Sequence, residues 1–159
     1  MKTKKKKMTK KEFMKLWVKA LRSGKYEQGE GMLCQNNKYC CLGVACDLAE
    51  KHKVRKLERR EGNGIVIWDE ETGELPTALQ DFLGMSASGD FDINKDFADL
   101  ASLNDGGYPS GVIQVHDGKI VVREGRKMSF KNIARVIETY FMGKKPVKKP
   151  NKKSVKKGK

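Results

Sequence analysis

The chain has 159 residues, 38% apolar and 34% charged, with a formal charge of +14. The charge is uneven: residues 1–11 hold seven lysines and residues 144–159 hold nine, with no acid in either stretch, which leaves 18 basic against 20 acidic residues in between. This is one domain's length of chain, with no run near the ~20 apolar residues of a membrane span and no apolar stretch behind the charged start, so two-domain, membrane-spanning and exported classes are disfavoured.

Residues 1–8 read as a disordered basic tail, because mutually repelling lysines have no apolar surface to bury. A domain over 9–143 follows. Thr9 and Glu12 make a capping box, and Phe13, Leu16, Trp17, Ala20 and Leu21 fall on one helical face, so a helix is expected near 10–23 with Gly24 as its left-handed stop. Residues 25–39 read as a loop entering a hairpin, Met32–Cys34 against Lys38–Cys40 across Gln35-Asn36-Asn37, and in a hairpin over 33–40 Cys34 and Cys40 could lie opposite one another. The next helix, 41–52, is apolar nearly all round at its start and should be buried. Gly43 inside it costs about 1 kcal/mol against alanine, which points to a close packing contact.

Lys53–Arg60 is charged and expected to face solvent. Gly64–Trp68 reads as a strand closed by the acidic turn Asp69–Gly73. Pro76 suits the first turn of a helix over 76–83, and Gly84 its stop. Phe91–Ile93 reads as a short strand and Phe97–Leu103 as a short helix. Gly111–Val122 is a hairpin around Asp117-Gly118, and Ser129 caps a final helix over 129–142. Residues 144–159 read KKPV, KKPN, KKSV, KKGK, a second disordered basic tail with a reach of roughly 50 Å at ~3.1 Å per residue. The fold class is α+β: a single small domain, about four helices packed on short antiparallel hairpins.

Five kinds of site can be drawn from these residues. Cys34, Cys40, Cys41 and Cys46 lack the paired CxxC spacing of structural zinc, so Cys34, Cys40 and Cys41 are only weak metal candidates beside the plainer reading of cysteine as a small buried hydrophobe. Cys41 near a helix start is a weak nucleophile candidate, but His52 lies eleven residues along and His116 flanks a hairpin turn. Asp47 with Asp105, or the turn Asp69-Glu70-Glu71, offers carboxylates that a solvated surface explains equally well. The glycine-rich loop 22–31 mixes Arg22, Lys25, Tyr26 and Gln28, side chains suited to a ligand or partner surface, although turn geometry and capping also account for them. No cofactor is called for.

The tails carry the fifth. Lys4, Lys5, Lys6 and Lys7, with Lys144, Lys145, Lys148, Lys149, Lys152, Lys153, Lys156 and Lys157, form a footprint for polyanions. No arginine or aromatic residue accompanies them, so sequence-blind, salt-sensitive binding is expected. Solubilisation or an anionic membrane surface are the competing readings.

The segments LWVKALRSGKYEQGEGML and YCCLGVACDLA within 16–48, with Leu100–Asp105 and Ser129–Glu138 further on, resemble a group of small uncharacterised proteins found mostly in bacteriophages, other viruses and bacteria. The resemblance covers about half the chain. It implies an α+β domain of viral or phage origin and supplies no catalytic residue. The expectation is therefore a non-enzymatic viral accessory protein associating with nucleic acid, intracellular in the host cytoplasm, or in the virion or nucleus of a eukaryotic host. The alternatives are a binder of a host protein or small nucleotide ligand through loop 22–31, such as one sequestering a host defence signal, and a cysteine- or zinc-dependent enzyme.

Overall fold

The computed structural model describes residues 7–93, 96–107, 110–115 and 118–143. These form an α+β unit with a single apolar core. Helix α1, Lys10–Arg22, starts at the expected capping box: Thr9 Oγ1 accepts from Glu12 N at 3.2 Å while the Glu12 carboxylate accepts from Thr9 N at 2.8 Å. It buries Phe13, Met14, Trp17, Val18 and Leu21, while Leu16 and Ala20 are only partly covered. The buried face is thus turned toward Met14 and Val18, because α1 packs on a helix at each side rather than on one neighbour.

Four of the five strands of the main sheet lie in two tight hairpins, and its order is β1 (Glu27–Gln28), β3 (Lys38–Tyr39), β2 (Cys34–Gln35), β5 (Ile65–Trp68), β4 (Arg59–Gly62). The first hairpin corrects the expected register. Its loop is the two-residue Asn36-Asn37, with φ of 50° and 62°, and Cys34 pairs with Tyr39 rather than Cys40. Two successive left-handed residues make a turn whose twist suits the paired strands, and asparagine tolerates that region well. The second correction concerns Lys53–Arg60. Val54 is buried, and Arg59 opens strand β4, which Asn63-Gly64 (φ 53° and 76°) folds back against β5. Every residue of β4 is exposed, as a charged edge strand permits.

Helix α2, Cys41–Lys51, is buried from Cys41 through Ala49. Its Gly43 is obligatory for packing: a Cβ there would sit 1.7 Å from the Leu33 carbonyl oxygen. Helix α3 is Thr77–Leu83, with Pro76 at its N-cap and Gly84 in the left-handed region. Strands β6 (Asp90–Ile93) and β7 (Asp96–Asp99) pair, so Phe97 lies in a strand and not in the expected helix. That helix, α4, is Leu100–Asp105, and it starts later because Asp99 Oδ1 accepts from Ser102 N at 2.7 Å and makes Asp99 the cap.

Strands β8 (Gly111–Val115) and β9 (Gly118–Val122) form the last hairpin, with Val115 opposite Gly118. Gly118 therefore lies in strand β9 and not in the expected turn; His116 and Asp117 lie outside the described residues. Helix α5 is Phe130–Val136, capped by Ser129, and it continues into a π turn, Ile137–Phe141, closed by Met142 N donating to Ile137 O at 3.1 Å. Helix α1 lies against both α2 and α5, and α4 touches α2 and α5. No helix among the described residues is long and apolar enough to cross a membrane.

Candidate functional site

Loop 22–31 is fastened to the fold by most of its polar side chains. Arg22 Nη2 donates to Glu138 Oε2 at 2.6 Å, a carboxylate that is itself buried, and this bond holds the guanidinium more firmly protonated than usual. The Tyr26 hydroxyl donates to Asp47 Oδ2 at 2.5 Å, and Lys51 Nζ reaches the same oxygen at 2.6 Å. Burial first, and then the Asp47 bond, push the Tyr26 phenol well above its ordinary range. Tyr26 also meets Tyr39 edge-on at 5.1 Å. Gln28 donates to Asn104 Oδ1 at 3.0 Å and to Met128 O at 2.8 Å, and its Oε1 accepts from Phe130 N at 3.2 Å. Lys25 is exposed and, among the described residues, engages the fold through its backbone, N to Ser23 Oγ at 3.2 Å.

Asn104 is the residue that sequence reasoning missed here. It is fully buried, accepts from Cys41 N at 3.2 Å, and donates through Nδ2 to Gly29 O and to Asp105 Oδ1, both at 2.8 Å. A buried side-chain amide holding four partners is an architectural latch. Its signal was the Leu-Asn-Asp segment of the resemblance, read there only as a motif.

The cysteines are all free and buried. Cys41 is fully enclosed with Sγ donating to Leu100 O at 3.4 Å, and burial pushes its thiol well up. Cys40 caps α2, its Sγ accepting from Gly43 N at 3.3 Å, and burial raises it to about 12. Cys34 lies against the Tyr39 hydroxyl and is likewise raised by burial. Thiols raised this way are protonated near neutrality, whereas a nucleophile or a metal ligand is the thiolate. No group of three or more potential metal ligands occurs among the described residues. His52 is exposed at the end of α2. Asp47 and Asp105 have separate partners, Tyr26 with Lys51 and Asn104 respectively.

The remaining chemistry lies along α1. Because Arg22 binds Glu138 near the start of the π turn while Lys10 and Gly143 line one groove, α1 and the last helix run antiparallel. Two grooves follow their seam. One, of about 510 Å³, is bordered by Lys10, Lys11, Met14, Lys15, Phe141, Met142 and Gly143. The other, of about 440 Å³, continues past Lys15 and Met142 to Val18, Lys19, Arg22, Ser23 and Glu138. The first groove joins the points where both lysine-rich segments meet the domain, just before Lys10 and just after Gly143. Of the tail lysines, Lys7 is described and exposed. Lys4, Lys5, Lys6, Lys144, Lys145, Lys148, Lys149, Lys152, Lys153, Lys156 and Lys157 lie outside the described residues.

A family model described as a domain of unknown function (DUF8296) matches residues 8–141. No curated protein and no solved structure matches the chain.

Proposed function

We propose that this chain, which belongs to the family of that domain of unknown function, is a non-enzymatic accessory protein held on nucleic acid, without regard to sequence, by its two lysine-rich tails acting together. The observation that carries this reading is the shared groove of Lys10 and Gly143. Five lysines in residues 1–8 and nine in 144–159 flank a domain whose first helical residue, Lys10, and last described residue, Gly143, border one groove. Engagement of one tail then keeps the other near the same stretch of phosphates at high effective concentration. Each lysine that meets a phosphate releases counterions, which makes the affinity steeply dependent on salt and indifferent to base order. The phage or viral setting rests on the motif resemblance alone.

The reading that uses loop 22–31 for a host protein or a small nucleotide ligand has less support, because Tyr26 and Gln28 spend their polar atoms on Asp47, Asn104 and backbone groups. The test of the favoured reading is binding of the full chain to two duplexes of unrelated sequence. Equal affinities that fall by orders of magnitude between about 50 and 200 mM salt are expected. A clear preference for one duplex, or no binding at low salt, would overturn it.

A further inference from the structure

Between the tails, over residues 9–143, basic and acidic residues balance at 20 each, so a folded basic surface is not expected from composition. Helix α1 nevertheless presents one. Lys11, Lys15 and Lys19 are exposed and spaced four residues apart, which places them on one face with about 6 Å of rise between neighbours. Several basic side chains elsewhere are paired, Lys38 with Glu27, Lys51 with Asp47, Arg60 with Glu58 and Glu70, Lys127 with Glu30. The exposed Arg123, Arg126 and Lys131 have no carboxylate partner among the described residues but do not form a helical row leading from the tails. The three α1 lysines have no carboxylate partner among the described residues. Acids close by are already engaged, Glu12 with Thr9 and Glu138 with Arg22.

Like charges repeated at this spacing weaken a helix, so the row costs stability and gains nothing within the fold. It also borders both grooves, and the groove nearer the tails has an apolar floor of Met14, Phe141 and Met142. We infer that Lys11, Lys15 and Lys19 form a phosphate-binding track on the folded domain, starting at the groove where both tails join it, so that a nucleic-acid backbone held by the tails also runs along α1. The inference rests on the function proposed above and adds a folded contact to it. The partner is a polyphosphate backbone because the track offers regularly spaced point charges, with no guanidinium fork for reading bases.

The experiment compares three forms of the full chain binding one duplex across a salt series: the natural sequence, K11Q/K15Q/K19Q, and R123Q/R126Q/K131Q as a charge-matched control on another exposed surface. All six substituted side chains are solvent-facing, so both variants should stay folded, with the α1 variant melting no lower than the natural sequence. The α1 variant is expected to lose about two to three from the slope of log affinity against log salt, with at least about a tenfold loss of affinity near physiological salt, while the control changes little. An unchanged slope in the α1 variant overturns the track and leaves the tail reading standing. An equal loss in the control shows diffuse charge and overturns it as well. If the natural sequence binds anionic phosphatidylserine vesicles but no duplex, the tail reading and the track fall together.

Discussion

Gln28 Nε2 donates to Asn104 Oδ1 at 3.0 Å across 76 residues of sequence, and Asn104 is fully buried. Through this pair the glycine-rich loop, the start of α2, helix α4 and the start of α5 are joined, because Gly29 O, Cys41 N and Phe130 N share the same two side-chain amides. Asn104→Ala would leave a buried carbonyl and a buried N–H unmatched. A loss of about 2–4 kcal/mol is expected in urea unfolding. Gln28→Ala should cost less alone, and the two should couple by at least about 0.5 kcal/mol in a double-mutant cycle. Additive losses would mean the pair does not act as a latch.

Gly43 gives a sharper steric test. Its Cβ position lies 1.7 Å from a backbone oxygen of Leu33, so Gly43→Ala must displace main chain and not a flexible side-chain end. A loss of at least about 2 kcal/mol, or failure to fold, is expected by circular dichroism. Gly24→Ala meets no neighbouring atom and is strained only by φ of +71°. It should cost only about 1 kcal/mol.

The alkaline limb of stability follows from the buried thiols and phenols. Cys34, Cys40, Cys41 and Cys46 are raised above 9.0, and Tyr26 and Tyr39 above 10.0, chiefly by burial. A raised folded value means that the unfolded chain gives up protons first. Stability is therefore fully present below about pH 9 and falls as the pH climbs toward the folded values. Each thiol that ionises only on unfolding adds a slope of about 1.4 kcal/mol per pH unit. Urea midpoints measured from pH 7 to 11 should stay level and then drop; a level profile to pH 11 would contradict the burial of these groups. In the same range, thiol-directed reagents should label the native protein only at the rate of unfolding.

How far the sequence discloses this depends on whether a feature is local. The capping box of α1, the buried character of α2 and the tight contact at Gly43 all follow from residues a few positions apart. Strand β4 was hidden because Arg59–Gly62 is an exposed edge with no apolar alternation, even though Asn63-Gly64 is a strong turn signal. The register around Asn36-Asn37 and the start of α4 at Asp99 turned on which residue caps or turns, a choice of one position. The candidate track divides the same way. The spacing of Lys11, Lys15 and Lys19 can be read along α1, but its adjacency to Phe141, Met142 and Gly143 is set by antiparallel packing over more than a hundred residues of chain.

The most direct measurement is the affinity of the full chain for a short duplex at about 150 mM salt, compared with a full-length variant whose lysines at 4–7, 144, 145, 148, 149, 152, 153, 156 and 157 are all glutamine. The expected result is a loss of at least about a hundredfold with a much shallower salt dependence, and an intermediate loss when either tail is neutralised alone. A variant that binds as tightly as the natural sequence would contradict the account.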